Sequence, residues 1–282
     1  MPYKELKSYN VKTVETPTTI EVWEYINEPV IYSSNVDKDN SINKNIDKTE
    51  NNNNEILSAI KQYDSIKRKQ KHYQEMRWII ARIVDCNFDN KTKFMTLTFK
   101  DNIQDITYTN YEFNKFIKRL NFRLYHDKKQ KLKYIAVWEK QKRGAIHYHI
   151  IFFDFPYIKL KELQEIWGHG FVKINKIDVD SKDNRGRYVS KYFSKDIDER
   201  NYKQKAFFKS RNLIMPITNK MTREELIDFS NENVVFTKTY TRKVPNYHLF
   251  QTLNDELTFT ESKVRYTKIR KDFSNGSNDK KE

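Results

Sequence analysis

Hydrophobic and polar residues follow two periods along the middle of this chain, and the two periods together predict its fold. Residues 94–99, 134–140 and 144–153 combine β-branched and aromatic residues in alternating or continuous apolar runs, which is typical of strands. Between the first two strands, apolar residues recur at the spacing of an amphipathic helix, namely Phe113, Phe116, Ile117, Leu120 and Leu124. Strand, helix, strand, strand is the first half of a split βαβ unit. We therefore expect an α+β fold whose central antiparallel sheet is ferredoxin-like, with helices on its faces.

The same patterns predict how the rest of the chain is divided. Residues 1–33 alternate in the manner of a β-arm, and residues 34–54 contain too few apolar residues to fold, which predicts a disordered linker. Residues 55–90 have the period of a helix with a strongly basic face. We expect a central domain over residues 91–215, followed by a C-terminal extension over residues 216–282 that ends in a loose, charged tail.

Three further elements are expected beside the central motif. Residues 158–167 have the pattern of a short helix, and residues 171–177 have the pattern of a strand. Between them, His169 is expected to be a turn residue because it stands between two glycines, although a contact with DNA is the alternative. In the C-terminal extension, residues 221–232 predict a helix opened by Thr222.

Composition narrows the class of partner. The 282 residues carry a formal net charge of +15, and the pI is about 9.5; both favour a polyanionic partner, with nucleic acid ahead of an acidic membrane surface. The single cysteine, Cys86, excludes an internal disulfide and a cysteine-based zinc finger. No segment resembles a signal peptide, and no apolar run reaches the length of a membrane span. We therefore expect a cytoplasmic protein that binds nucleic acid.

The third predicted strand carries two histidines one residue apart. His147 and His149 must project from the same face of that strand, where neutral imidazoles could share one divalent ion. In the simplest hairpin pairing, Glu139 of the preceding strand lies opposite His147 on the same face and supplies a third ligand. If the loop differs by one residue, Gln141 becomes the competing ligand. Two histidines alone on a strand are more often partly exposed sheet residues, so the hypothesis depends on evidence from the rest of the chain.

A second candidate site lies in the basic segment over residues 184–196, which we interpret as a helix that opens after a basic turn. Tyr188 and Tyr192 are four residues apart and share one face of that helix, and Lys191 and Lys195 share an adjoining face. Such tyrosines are ordinarily core aromatics. Beside a metal ion, however, a tyrosine hydroxyl with a pKa of about 10 can become a useful nucleophile.

These residues carry a resemblance to the HUH endonucleases. The strand over residues 94–99, the strand over residues 145–150 and the segment Tyr188–Tyr192 resemble the three ordered motifs of that superfamily. More narrowly, they resemble the rolling-circle replication initiators of small single-stranded DNA phages and plasmids. Two tyrosines separated by three residues, with a lysine just before the second, are similar to the two-tyrosine branch. The resemblance covers roughly residues 90–215, and it implies an HUH nuclease domain there.

The resemblance implies a role for each matching residue. His147 and His149 match the pair that holds a divalent ion, and Tyr188 matches the nucleophile. Lys191 matches the lysine of the third motif, and Tyr192 matches the second nucleophile. Glu139 rests on the hairpin register as much as on the resemblance. The basic side chains around these motifs are the expected DNA contacts, namely Arg143, Arg185, Arg187 and Lys195.

The implied reaction is nicking of single-stranded DNA at a replication origin. Tyrosine attack would leave a 5′-phosphotyrosine link and a 3′-hydroxyl primer, and the strand would be rejoined later. Magnesium or manganese suits phosphate chemistry, although zinc fits the same ligands. No phosphate-binding motif of a helicase occurs, which implies that a host helicase and a host polymerase are partners. The alternatives are an HUH transposase or relaxase, a metal-dependent hydrolase that uses activated water, and a nucleic-acid-binding protein without catalysis.

Overall fold

The protein is described here by a computed structural model, which defines residues 6–33, 72, 74–177, 207–226, 233–245 and 259–271. The chain divides into two compact units. Unit 1 contains residues 1–50 and 216–282, and unit 2 contains residues 51–215. The predicted linker over residues 34–54 lies outside the described residues, as do residues 272–282 of the predicted tail.

Strands outnumber helices in the described residues. In chain order the strands are β1 (Leu6–Tyr9), β2 (Val11–Glu15), β3 (Thr19–Tyr25), β4 (Val30–Ser33), β5 (Lys93–Thr98), β6 (Lys133–Lys140), β7 (Ile146–Phe153), β8 (Val172–Lys176), β9 (Phe208–Lys209), β10 (Ile217–Met221), β11 (Val234–Pro245) and β12 (Phe259–Arg270). The helices are α1, whose described part includes residues 74–87, α2 (Ile106–Tyr125) and α3 (Leu160–Trp167). The predicted α+β class is confirmed. Within these ranges, every helix is too short or too polar to span a lipid bilayer.

The sheet of unit 2 has the strand order β8-β5-β7-β6-β9, and all neighbouring strands are antiparallel. Helix α2 connects β5 to β6, and β7 lies between these two strands in the sheet. Helix α3 connects β7 to β8, and β5 lies between them. Two split βαβ units therefore interlock, which is the ferredoxin-like arrangement that the sequence predicted from its first half.

Successive side chains of β7 point to opposite faces of the sheet, and the core of unit 2 accordingly has two layers. Tyr148 and Ile150 belong to the cluster that α2 and α3 cover. Ile151 and Phe153 belong to a second cluster, together with Ile80 of α1. Because successive strand residues point to opposite faces, the odd-numbered residues of β7 all lie on the α1 face. That face also carries the two histidines.

Asn121, near the end of α2, holds the loop that leads into β6. Its side-chain amide donates to the carbonyl oxygens of Asp127 (2.9 Å) and Lys129 (3.0 Å). Its side-chain oxygen accepts from the backbone N–H groups of Lys131 (2.8 Å) and Leu132 (3.0 Å). The full hydrogen-bonding capacity of the buried side chain is therefore used. The loop in turn places the start of the strand that carries Glu139.

We expect Asn121→Ala to lower the free energy of unfolding of unit 2 by about 3 kcal/mol, because four backbone groups lose their partner at a buried position. Chemical denaturation of the full-length variant measures this loss. Asn114→Ala, at an exposed position of the same helix, is the control and should change stability by less than about 0.5 kcal/mol. Equal stability of the two variants would contradict this role of Asn121.

The sheet of unit 1 has the order β10-β2-β3-β12-β11 and is also antiparallel throughout. Strands β1 and β4 pair separately as a two-stranded sheet. Strands from residues 6–33 and from the region after residue 216 thus share one sheet. The expected division placed these residues in a separate arm and extension and did not include their pairing. Its small core contains Val11, Val22 and Ile269.

The helix predicted to begin at Met221 is wrong over the residues that the structure describes. Strand β10 ends at Met221, and residues 222–226 form a turn. In this turn the N–H of Thr222 donates to the Glu225 carboxylate (2.8 Å), and the N–H of Leu226 donates to the carbonyl oxygen of Arg223 (3.2 Å). The hydrogen bond from Thr222 to Glu225 is one that helix N-termini use, but here it closes a single turn. Residues 227–232 lie outside the described part of the chain.

Candidate metal centre

The hairpin of β6 and β7 brings a carboxylate and two imidazoles together. Glu139 pairs directly with His147 in the antiparallel register, which confirms the predicted pairing. Residues 141–145 form the connecting turn, where the N–H of Gln141 donates to the carbonyl oxygen of Ala145 (2.8 Å). Gly144 has a φ of +88° in this turn, a conformation that favours glycine. The turn length therefore excludes the one-residue shift that would have moved Gln141 into the pair.

The three side chains converge on one carboxylate oxygen. Oε2 of Glu139 lies 2.7 Å from Nε2 of His149 and 3.3 Å from Nε2 of His147. The two imidazole rings have their centroids 4.6 Å apart, at an interplanar angle of 65°. One ligand atom from each residue lies within 4.8 Å of the other two. Among the described residues, this is the one group of three His, Cys, Asp or Glu side chains that could hold a metal ion.

The hydrogen bonding of His147 fits a metal ligand. Its Nε2 atom is buried and has no hydrogen-bond partner within the described residues, because the contact with Glu139 is close but poorly aligned. A buried imidazole nitrogen without a partner is costly unless another group satisfies it. Two imidazole nitrogens and one carboxylate oxygen are a donor set that divalent zinc, manganese or magnesium accepts. The residues present therefore fit a divalent cation.

Strand β5 supports the second histidine from the side. Thr96 pairs with His149 in the sheet, and its hydroxyl lies 3.2 Å from Nδ1 of that ring. The Phe94 ring stacks on the same imidazole, with centroids 5.5 Å apart and planes 21° apart. These contacts fix the ring orientation while Nε2 faces Glu139. Neither contact could be predicted from the sequence, because both require the register between β5 and β7, which residue spacing does not reveal.

The cluster is partly accessible from solvent. The exposed fractions of the side chains are 14% for His147, 16% for His149 and 25% for Glu139. Further along the same face, Ile151 and Phe153 are buried in the cluster that includes α1. The sheet therefore presents one polar, accessible end beside a closed apolar layer. A phosphate group could reach the polar end.

Arg143, a predicted DNA contact, lies in the turn between β6 and β7. Its guanidinium donates to Oε1 of Gln141 (3.0 Å) and to the carbonyl oxygens of Phe99 (3.0 Å) and Lys100 (3.5 Å). A guanidinium has five N–H donors, so two remain for another acceptor. The side chain is exposed. The side-chain oxygen of Gln141 accepts from Arg143, which also makes Gln141 a poor alternative ligand.

The remaining predicted site residues lie in residues 178–206, outside the part of the chain that the structure describes. They are the catalytic candidates Tyr188, Lys191 and Tyr192 and the DNA-binding candidates Arg185, Arg187 and Lys195. Their roles stay predictions.

His169, the predicted turn residue, forms an ion pair with a carboxylate outside the metal cluster. Gly168 ends α3 with a φ of +72°, and His169 follows it with Nε2 2.9 Å from Oε2 of Glu112. Lys115 lies 3.1 Å from the other oxygen of that carboxylate. Burial raises the pKa of Glu112, but the hydrogen bonds from Lys115 and His169 outweigh burial and hold this pKa below its usual value. His169 is therefore held between the turn and α2, and its role in DNA contact stays a prediction.

Comparison with known proteins gives two matches. A family model described as replication-associated protein ORF2/G2P matches residues 92–197, a segment that contains both histidines, Glu139 and both candidate tyrosines. A curated protein of Escherichia coli, described as phasyl DNA replicon protein arp, is 28% identical over 156 aligned residues. That alignment covers 46% of this chain and 53% of the Escherichia coli protein, so the chain spans about half the length of that relative. No solved structure matches. Over residues 92–197 the chain is therefore similar to replication-associated proteins.

Proposed function

We propose that this chain is a metal-dependent, DNA-nicking and strand-transfer endonuclease of the HUH type that initiates rolling-circle replication. The observation that carries the proposal is the cluster of Glu139, His147 and His149 on adjacent central strands, within the segment that the replication-associated family model matches. Nicking would account for both observations. Initiation of rolling-circle replication requires a free 3′-hydroxyl, and a metal ion held by the cluster could bind the phosphate that is cleaved.

The cluster would hold one divalent ion through Nε2 of His147, Nε2 of His149 and a carboxylate oxygen of Glu139. When bound, the ion would stabilise negative charge that develops on the phosphate oxygens. The hydroxyl of Thr96, at 3.2 Å from Nδ1, would keep His149 oriented. Magnesium or manganese is the proposed working ion, because hard cations suit phosphate oxygens, and zinc is the alternative that the same donor set accepts.

Tyr188 would be the nucleophile. Its oxygen would form a bond to phosphorus as the bond between phosphorus and the 3′-oxygen breaks, leaving a 5′-phosphotyrosine and a 3′-hydroxyl. The phenol loses its proton in this step, and the departing 3′-oxygen gains one. Lys191 would assist, either by stabilising charge near the phosphate or by receiving and returning the proton. No nucleotide cofactor is needed, because the phosphotyrosine diester keeps the energy of the broken bond for rejoining.

Tyr192 would perform the second cleavage, when replication has returned to the origin. Arg143, Arg185, Arg187 and Lys195 would contact the DNA backbone. The substrate would be single-stranded DNA at a replication origin, and a host helicase and a host polymerase would act with the chain.

Glu139 can be tested as the third ligand against its competitor. We expect Glu139→Ala to weaken the affinity for Mn²⁺ by about a hundredfold or more, because one of three ligands is lost. Gln141→Ala should leave this affinity nearly unchanged, because the Gln141 side chain is engaged by Arg143. Titration calorimetry with Mn²⁺ measures both variants. A large loss in Gln141→Ala, together with wild-type affinity in Glu139→Ala, would contradict the assignment.

The proposed function itself is tested on a denaturing gel with a single-stranded oligonucleotide labelled at its 3′ end, because the fragment on the 3′ side of the nick is the one that stays joined to tyrosine. Incubation with Mn²⁺ should transfer label to the protein band, and EDTA should prevent the transfer. Cleavage without label on the protein would favour a hydrolase that uses activated water. Binding without cleavage would favour a non-catalytic DNA-binding protein. A transposase or a relaxase would also form the adduct, and the sequence of the preferred cleavage site would separate these from an origin-specific initiator.

A further inference from the structure

One face of the unit 1 sheet carries a row of side chains that crosses all five strands. The in-register partners along this row are Lys220, Lys12, Trp23, Tyr266 and Lys238, in the order β10-β2-β3-β12-β11. Directly paired residues in an antiparallel sheet point to the same side. Two aromatic rings therefore stand at the centre of the row, and lysines stand at both ends. The row is roughly 19 Å long, given a strand spacing of about 4.8 Å.

Neighbouring rows on the same side extend the aromatic surface. Phe236 stands two residues before Lys238 on β11, and its ring centroid is 6.2 Å from that of Tyr266. The Tyr266 and Trp23 centroids are 5.1 Å apart. Phe236 is 51% exposed and Tyr240, two residues beyond Lys238, is 40% exposed. We call this side of the sheet, with Trp23, Tyr266 and Phe236 at its centre, the aromatic face.

The hydrophobic core of unit 1 lies on the opposite side. Val11, Val22 and Ile269, which form that core, alternate with the residues of the aromatic face along β2, β3 and β12. The rings of Trp23, Tyr266 and Phe236 lie outside that core, although Val14 and Val264 on the same side as these rings are also buried. The Tyr266 ring is fixed in position, because its hydroxyl donates to Oε1 of Glu21 (2.7 Å).

Charge also distinguishes the two sides. The described acidic residue on the aromatic face is Glu21, which is buried. The basic residues that share this face by register are Lys12, Lys220, Lys238, Arg242, Lys268 and Arg270. On the opposite side the charges are balanced, since Lys243, Lys263 and Arg265 are accompanied by Glu15, Glu24 and Glu261. The aromatic face therefore favours an anionic partner.

Cations also stand close to the rings. The ammonium of Lys12 lies 5.3 Å from the centroid of the Trp23 ring. The guanidinium of Arg242 lies 4.6 Å from the centroid of the Tyr25 ring, and the ammonium of Lys220 lies 5.1 Å from that of Tyr9. Tyr9 is buried and belongs to β1, so among these rings the relevant one is Trp23. A base that reaches Trp23 brings its phosphate within range of the Lys12 ammonium.

We propose that the aromatic face binds single-stranded DNA, with bases stacked on Trp23, Tyr266 and Phe236 and phosphates held by the flanking lysines. Proteins that bind single strands without regard to sequence use aromatic rings that stack on the bases, with cationic side chains beside them that bind the phosphates. Duplex DNA would use the cations but keeps its base faces covered, and an acidic protein would leave the rings without a matching partner. The choice of DNA over RNA rests on the proposed function, whereas the choice of a single strand rests on the face itself.

The test uses full-length protein and a fluorescein-labelled oligothymidylate in buffer with EDTA, so that cleavage does not interfere. Phe236→Ala should weaken binding about tenfold, because one stacking platform is lost. Val235→Ala, at a neighbouring position that is equally exposed, is its control and should bind as the wild type does. Circular dichroism confirms that each variant is folded.

A second pair of variants tests the charges. Lys220→Gln combined with Lys238→Gln should weaken binding and reduce the slope of log affinity against log salt concentration by about 1.4, since each contact with a single-strand phosphate contributes about 0.7. Lys243→Gln combined with Lys263→Gln removes the same charge from the opposite side and should leave the slope nearly unchanged. Ultraviolet crosslinking with peptide mass spectrometry should place the oligothymidylate on peptides that contain Trp23, Phe236 or Tyr266.

If none of the three peptides is crosslinked, the proposal is overturned, whatever the affinities of the variants for the oligothymidylate. The proposal would also be overturned if both double lysine variants lowered the salt slope equally and Phe236→Ala bound as tightly as the wild type. That result would mean that DNA binds to basic side chains on both sides of the sheet and not to the aromatic rings. Oligouridylate that binds more tightly than oligothymidylate would contradict the choice of DNA, and effective competition by polyglutamate would favour an acidic protein partner instead. Adduct formation by the wild type with Mn²⁺ is scored separately, so failure of this surface and failure of the nicking proposal are distinguishable.

Discussion

Replacing His147 and His149 together with alanine is expected to lower metal-dependent cleavage of single-stranded DNA on the order of a thousandfold or more. The two rings supply two of the three ligand atoms of the cluster, and a single carboxylate from Glu139 cannot hold a divalent ion tightly by itself. Charge that develops on the phosphate would then lose its main stabilisation. Cleavage is measured as product formed per unit time from a labelled oligonucleotide at saturating Mn²⁺.

Binding of DNA without regard to sequence should survive the double substitution, because it depends on dispersed lysine and arginine side chains. His126→Asn is the matched control. His126 is exposed at the end of α2 with a φ of +51°, a conformation that asparagine tolerates. This variant should cleave as the wild type does. Retained nicking in the double mutant would contradict the metal assignment, and equal loss in His126→Asn would indicate damage to the fold.

The two tyrosines are expected to separate into two functions. Tyr188→Phe should lose most of the initial cleavage, on the order of a thousandfold, because phenylalanine removes only the hydroxyl that the resemblance identifies as the primary nucleophile. Tyr192→Phe should still form the covalent complex on an oligonucleotide with one cleavage site. It should fail to release closed circles from a substrate with two origins, since that reaction requires a second nucleophile while the first holds a DNA end.

The i and i+4 spacing makes this division physically reasonable, because both hydroxyls on one predicted helical face can reach the same phosphate with a small rotation of the helix. Tyr157→Phe is the control, since Tyr157 is 89% exposed and precedes α3. Circle release by Tyr192→Phe at the wild-type rate would leave Tyr192 as an ordinary packing residue and the chain as a single-tyrosine nickase.

The sequence predicted the part of the fold that local patterns specify. The alternation along β6 and β7 and the short turn between them were enough to pair Glu139 with His147, because a hairpin register follows from strand pattern and turn length. The amphipathic spacing of α2 and the order of elements were enough for the split βαβ arrangement. Both predictions depend on residues that are close in sequence.

Contacts between distant residues could not be predicted in this way. Strand β12 pairs with β3, so that Tyr266 lies beside Trp23 although the two residues are far apart in sequence. No local pattern specifies such a partner, and unit 1 was consequently divided into a separate arm and extension. The support of His149 by Thr96 was missed for the same reason. The helix predicted at Thr222 failed because a capping pattern also fits a single turn.

The most direct test of the nicking proposal is mass spectrometry of the protein–DNA conjugate trapped after incubation with Mn²⁺. The wild type should yield one tryptic peptide that carries a 5′-phosphonucleotide on Tyr188, and the His147→Ala, His149→Ala double mutant should yield none. Cleaved DNA with free 5′-phosphate ends and no modified tyrosine would contradict nucleophilic attack by Tyr188.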